Sequence, residues 1–303
     1  MRIRIRPHAW RRATCRAAGA LLGAVAMGTA PGAASARQVA AIGPVELFAT
    51  ALVGPEGLAF TRDGGLIVGN VSGDVLRFTP GGTATLLATV GEPLTGVTVL
   101  HDGRILAASF SGGRVWGIQA GTASAVVGGI PGANFIVETK RRQVLVSSST
   151  TGTIFDITSG TPVARASGLS FPNGLAVDRR NRFLYVAETV PGRIVRLPLA
   201  SDGSLGAAQV WATGLTFADG IAFDRDENLL VVGGGAVNVV IAKTGEIRQL
   251  VDDPLVNWPS NLAFGKRGFK RRDVYMVNFG PGFGDGTTLV RFRYNHRGLR
   301  VPR

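Results

Sequence analysis

Three oxygen-bearing side chains carry the chemistry that this sequence can do. Glu56 stands in Gly54-Pro55-Glu56-Gly57, Asn173 in Phe171-Pro172-Asn173-Gly174 and Asp219 in Phe217-Ala218-Asp219-Gly220. Each precedes a glycine and a short apolar run, so the three share one place in a recurring pattern. Two carboxylates brought together out of water repel each other and lose hydration. A hard divalent cation removes both penalties, and carboxylate plus amide oxygens are the donors that Ca²⁺ or Mg²⁺ takes. Ca²⁺ is the expected cofactor, with Mg²⁺, Mn²⁺ and Zn²⁺ as alternatives. Zn²⁺ fits least, because no histidine or cysteine accompanies the three. Asn-Gly and Asp-Gly are ordinary turn pairs, so Asn173 or Asp219 alone would read as a turn residue. Glu-Gly is not a favoured turn pair, and Glu56 resists that reading.

The elements that must position these residues come from an internal repeat. Six segments share one form, beginning at 54–60, 93–100, 131–137, 171–177, 217–223 and 258–264. Aligned on Gly57, Gly96, Asn134, Gly174, Gly220 and Asn261, they are spaced 39, 38, 40, 46 and 41 residues apart. Each holds a first, a second and a third apolar strand, and five show a fourth, outer strand. Four strands per repeat with no convincing helix predict an all-β, six-bladed β-propeller. The sixth repeat lacks its outer strand, and an unclaimed strand at Pro44–Thr50 is expected to supply it and close the ring. First strands then line the axis, so equivalent positions form a ring at one height. Just before the first strand that position reads Glu56, Thr95, Ala133, Asn173, Asp219 and Ser260. Asn134 and Asn261 fall one place later, either turned inward toward ion or substrate or serving as left-handed turn residues.

Loops after the second strands are expected to surround the axis mouth. The longest, Asn278–Gly286, puts Phe279 and Phe283 among glycines and reads as a flexible apolar flap. Trp258 is a pocket wall or simple core packing, and Glu188 reads as a solvated turn carboxylate. His101 lies in a turn on the far side and His296 in a basic tail, and no nucleophile elbow is present. The chemistry left is metal-polarised hydrolysis with a carboxylate as base.

Charge and composition narrow the setting. The 303 residues are 45% hydrophobic and 17% charged, too apolar for a disordered chain. Residues 1–36 carry six arginines and no acid, 265–303 carry ten Lys/Arg against Asp273 and Asp285, and 37–264 sum to −1. That neutral body argues against nucleic acid. The basic stretch around Lys266–Arg272 reads as a solvated blade turn, with electrostatic attachment to an anionic surface as the alternative. Arginines, an apolar run from Ala17 to about Ala30 and Ala34-Ser35-Ala36 read as a signal peptide over 1–36. The run is too short to span a bilayer, where about 20 residues are needed. The expectation is therefore one domain over 37–303, exported to the periplasm or secreted, monomeric, with no stable membrane span. Its partner is a small-molecule substrate. The one cysteine, Cys15, falls in the leader, which leaves a mature chain without thiol chemistry.

The strings GPEGLAF, FPNGLAVDRRNRFLYVAET, FADGIAFDRDENLLVV and PSNLAFG resemble the SMP-30/gluconolactonase/LRE-like (regucalcin) family of six-bladed propellers. Similar strings occur in strictosidine-synthase-like and phosphotriesterase-like relatives. The resemblance covers about 44–293. It implies a divalent metal held by Glu56, Asn173 and Asp219, with Asp219 also the general base. It further implies a hydrolase of small lactones or related esters, and the reading of residues 1–36 makes that hydrolase an exported one. Two positions depart from the family. The arginine of the third-blade substrate pair is missing before Asn134, and Ala263 stands where the phosphotriesterase-like member has a histidine. A lactone or ester less polar than a sugar lactone fits this pattern, with Asn134, Asn261, Trp258, Phe279 and Phe283 as substrate contacts. The rival reading is a non-catalytic ligand- or protein-binding propeller pinned by a structural metal.

Overall fold

The computed structural model describes residues 43–119, 121–294 and 296–299. The signal peptide expected over 1–36 lies outside them. Among the described residues there are twenty-four strands in six four-stranded antiparallel sheets and no helix. Five sheets follow chain order, each strand pairing with the next. In the sixth the order is Glu46–Ala49, Thr288–Arg293, Asp273–Asn278, Pro259–Phe264. The N-terminal strand thus fills the place that the sixth repeat leaves open. Glu46 pairs with Arg291, and the Arg291 guanidinium donates to Glu46 Oε2 at 2.9 and 2.7 Å.

Burial explains why the repeats read as apolar runs and not as alternating strands. Second strands such as Leu66–Asn70, Val144–Ser148 and Leu229–Gly233 are buried on both faces between neighbouring blades. Outer strands such as Val163–Ala166 face water. Each core layer joins two blades. Ile67 and Val75 of blade 1 pack with Leu94, Val97 and Ala107 of blade 2, and Leu145 and Ile154 of blade 3 with Leu175, Leu184 and Val195 of blade 4. Phe60 and Phe78 of blade 1 pack with Phe269, Tyr275 and Val277 of blade 6, with Phe48 of the closing strand against the layer. The Phe60 ring meets Phe269 and Tyr275 edge-on at 4.9 and 5.4 Å. Closing the circle through this aromatic layer leaves no blade with a free inner face.

The six inner strands touch in cyclic order: Pro55–Phe60, Val97–Val99, Ala133–Glu138, Pro172–Val177, Ile221–Phe223, Pro259–Phe264 and back to the first. Glycine lets them approach. A methyl group on Gly57, Gly96, Gly174 or Gly220 would press into the carbonyl oxygen of Thr95, Asn134, Asp219 or Ser260 of the next blade. Every glycine in that set therefore sits where a backbone must lie against its neighbour.

Candidate metal centre

Ladder register decides which residues share a height on the axis. The rungs Pro55↔Asn70, Ala133↔Ser148, Pro172↔Glu188 and Pro259↔Asn278 open the inner hairpins of blades 1, 3, 4 and 6. The next residues are Glu56, Asn134, Asn173 and Ser260. In blades 2 and 5 the corresponding amides are Thr95 N, bonded to Ala108 O, and Asp219 N, bonded to Val232 O, both at 2.9 Å. The ring is therefore Glu56, Thr95, Asn134, Asn173, Asp219 and Ser260. This corrects the sequence alignment, which put Ala133 in the ring and Asn134 one place later. Blades 3 and 4 step from their opening rung to the next through the same three-against-two irregularity. Ala133 packs instead into the layer shared with blade 2.

Backbone contacts lock the ring from blade to blade. Gly96 N donates to Asn134 O at 2.8 Å, Ser147 Oγ to Asn173 O at 2.8 Å, Gly220 N to Ser260 O at 2.8 Å and Ser260 Oγ to Glu56 O at 3.0 Å. The two hydroxyls of the ring are engaged in this work, since Thr95 Oγ1 donates to Ala133 O at 3.1 Å. The other four side chains each present a covered acceptor without a partner: Glu56 Oε2, Asn134 Oδ1, Asn173 Oδ1 and Asp219 Oδ1. Buried acceptors are rarely left so. Four at one level around one axis are donors of the kind that a hard cation takes. Asn134 is held in that pose by its other end, where Nδ2 donates to Ser149 Oγ at 3.1 Å and Ser149 Oγ donates to Pro172 O at 2.7 Å.

Electrostatics agree with that geometry. Glu56 is buried, and desolvation first and the Asp219 charge second push its carboxyl well above the usual range. Desolvation raises Asp219 likewise, against a hydrogen bond from the Asn173 side chain that favours its ionised form. Asp219 is half-buried as a residue, and its Oδ1 is covered. Among the described residues no group of three or more His, Cys, Asp or Glu is arranged around a metal position. The donor set here is two carboxylates and two amides, the hard-oxygen mixture that suits Ca²⁺ or Mg²⁺ better than Zn²⁺.

The remaining expected residues separate clearly. Asn261 is buried one place beyond the ring, and its Oδ1 accepts from Leu262 N at 2.7 Å. Its Nδ2 is the unpartnered end, so Asn261 presents a donor and not an oxygen ligand. Trp258 is half-buried and belongs to an aromatic wall, 5.3 Å from Phe217 and 6.0 Å from Phe283 between ring centres. Phe283 is 55% exposed. The loop that carries it is closed by its own backbone: Phe279 N donates to Trp258 O at 3.0 Å, and Gly284 N and Gly286 N donate to Phe279 O at 3.1 and 2.8 Å. It is a bonded turn that lies against blade 1, where Gly54 N donates to Gly286 O at 2.9 Å. Glu188 is a second correction. It is fully buried, paired with Arg193, and accepts from Ser170 N at 2.6 Å, which makes it a brace for the blade and not a solvated turn residue. His101 pairs with Glu138 at 2.6 Å.

Phe217 and Phe171 escaped the sequence reading, although both stand two residues before a ring position. Phe171, Phe217 and Trp258 have φ of 51°, 47° and 48°, where blades 1 and 3 have Gly54 and Gly132. A left-handed bulky residue costs about 1–2 kcal/mol. Three in successive blades, beside the orphaned oxygens, mark a wall held at the mouth at the expense of backbone comfort.

Residues 132–278, from the inner strand of blade 3 through the second strand of blade 6, match the family model described as the SMP-30/gluconolactonase/LRE-like region. Residues 45–78 match the strictosidine synthase-like N-terminal model. No curated protein matches the chain in sequence. Among solved structures, a gluconolactonase from Xanthomonas campestris superposes with a TM-score of 0.70 at 19% identity, covering 82% of this chain and 89% of that one. A calcium-binding regucalcin from Agrobacterium tumefaciens gives 0.71 at 18% identity, over 88% and 98%. A luciferin-regenerating enzyme gives 0.70 at 15% identity, over 86% and 100%. At these identities the structural likeness is one of fold. The segment that matches this family model contributes Asn134, Asn173, Asp219 and Ser260 to the ring, and blade 1 adds Glu56.

Proposed function

We propose that the chain is an exported, divalent-metal-dependent hydrolase of small lactones or related esters. The observation that carries this reading is the ring of four covered, unpartnered oxygens on Glu56, Asn134, Asn173 and Asp219. When bound, the cation polarises the ester or lactone carbonyl. Glu56, Asn134 and Asn173, all buried, hold position without access to solvent. Asp219 differs in being only half-buried as a residue, and it would accept the proton of an attacking water. Phe217, Trp258 and Phe283 give the substrate an apolar wall and exclude water from one side.

Charge selects the substrate class. The twelve loops at the mouth contain no lysine or arginine, while Glu92, Asp219, Asp252, Asp253 and Asp285 lie in them. A phosphate or free carboxylate would find no lysine or arginine in those loops, and the third-blade arginine of sugar-lactone enzymes is missing. The reading is therefore an uncharged lactone or ester. The gluconolactonase relationship of the fold supports the reaction type, and the regucalcin likeness supports calcium.

The test is a panel of uncharged lactones and esters with chelated protein and with added Ca²⁺, Mg²⁺, Mn²⁺ or Zn²⁺, using the parent chain and Asp219→Asn. Cation-dependent turnover in the parent, with cation binding retained and turnover lost in Asp219→Asn, is the expected result. Cation binding without turnover of any panel member would assign the ring to a non-catalytic binding propeller.

A further inference from the structure

The face opposite the mouth carries a charge distribution that neither the ring nor the substrate reading uses. The six turns between inner and second strands all lie on it: 61–65, 100–104, 139–143, 178–182, 224–228 and 265–272. Together they hold fourteen Lys/Arg against six Asp/Glu, a formal +8, whereas the mouth loops hold none of the former and five of the latter. The bases gather in two lobes. One spans blades 3 and 4, with Lys140, Arg141, Arg179, Arg180 and Arg182 exposed, and its turns interlock where Lys140 N donates to Asn181 Oδ1 at 2.8 Å. The other is the blade 6 turn with Arg267, Lys270, Arg271 and Arg272 exposed beside Arg62 of blade 1.

The acids of these turns are largely engaged. Asp178 is buried and accepts from Arg182 N and Phe183 N at 2.6 and 3.0 Å, while Asp63 pairs with Arg77. In a six-membered ring, the junction of blades 3 and 4 lies diametrically across from that of blades 6 and 1. Two basic lobes at opposite ends of one face match a broad flat anionic surface better than a narrow ligand.

We propose that this face docks on an anionic lipid bilayer and holds the mouth away from it. Stacking platforms that single-stranded nucleic acid needs are missing, since Phe269, the one aromatic ring of the six turns apart from His101, is buried. Attachment is therefore electrostatic adsorption without insertion, and salt screens it.

Sedimentation of the full chain with vesicles tests this, comparing phosphatidylcholine alone with equimolar phosphatidylglycerol and phosphatidylcholine. Residues 1–36 are common to all variants, so differences between variants report the turns. Binding to the phosphatidylglycerol vesicles alone, released by added salt, is expected. Each base near an anionic leaflet contributes about 1 kcal/mol, about fivefold in partitioning. The triple variant Arg267→Glu, Lys270→Glu, Arg271→Glu should therefore bind at least about a hundredfold more weakly, and Arg179→Glu with Arg180→Glu about twenty-fivefold or more. Val190→Glu, on an exposed mouth loop, should bind as the parent does. Glutamine versions replace any glutamate variant whose melting temperature falls. Equal binding to both vesicle types, or parental binding by both lobe variants, overturns the proposal. Tighter binding to a DNA duplex than to the vesicles overturns it as well.

Discussion

Replacing Glu56 by glutamine should move stability in opposite directions with and without a cation. Burial and Asp219 raise the folded-state affinity of Glu56 for a proton. The cation-free fold therefore binds more protons than the unfolded chain, and its stability falls as pH climbs from the ordinary carboxylate range through the raised value. Each pH unit of that elevation costs about 1.4 kcal/mol once both states are ionised. For a domain of this size about 1 kcal/mol moves the melting temperature by about 2–4 °C. Glutamine keeps the shape and removes the titration, so in chelator at pH 8 the variant should melt several degrees above the parent. Added Ca²⁺ reverses the order. At a hundredfold excess over its dissociation constant a cation stabilises the parent by about 2.7 kcal/mol, about 5–11 °C, and the variant far less. Thermal unfolding at pH 5 and pH 8, in chelator and in Ca²⁺, reads all four conditions. A Glu56→Gln chain that melts below the parent in chelator at pH 8, yet keeps the full calcium shift, would refute the coupled-carboxylate account.

Three further outcomes follow from the same geometry. Asn134→Ala should weaken calcium affinity at least about tenfold in titration calorimetry, as loss of a charged-group hydrogen bond worth about 1.5–3 kcal/mol would, whereas Asn261→Ala should leave it within about twofold, because Asn261 Oδ1 already serves Leu262 N. Gly174→Ala should cost about 3 kcal/mol or more in denaturant unfolding, since the new methyl would press into Asp219 O. Glu188→Gln should lower the melting temperature without changing calcium affinity, because the carboxylate braces Arg193 and Ser170 N and not the axis.

The fold was legible because its determinants are local and repeated six times. Spacing, turn pairs and doubly buried apolar runs gave blade number, and the surplus strand before Gly54 matched the missing strand after Arg293. The site was legible wherever a glycine followed the ring residue, as at Glu56, Asn173 and Asp219. Blade 3 broke that marker, since Phe135 replaces the glycine and Asn134 was displaced by one. A signal was nonetheless there: Glu56, Thr95, Asn134 and Asn173 are each 39 residues apart. Glu188 failed for another reason. A carboxylate at a strand end reads the same whether it meets water or an arginine across a hairpin, and only the Arg193 side chain decides. Ser149 and Phe217 act by touching residues of other segments, which no local pattern encodes.

The repeat also explains how chemistry and attachment can coexist on so small a scaffold. Each inner strand runs from the mouth to the far turn, so residues at its two ends belong to opposite faces while sharing one rigid strand. In blade 4, Asn173 and Arg179 are separated by one inner strand, Pro172–Val177, and in blade 6 Ser260 and Arg267 by Pro259–Phe264. Those strands are almost wholly buried, and their ladders to the second strands fix both ends. Charge reversal in a far turn should therefore leave the ring geometry untouched, and loss of the cation should leave the basic lobes in place. That independence has an assay. The far-turn variants should keep the full calcium-induced rise in melting temperature, and Glu56→Gln should sediment with phosphatidylglycerol vesicles as the parent does. Coupling between the two readouts would mean that blades shift against one another when the axis fills, which the buried interblade layers oppose.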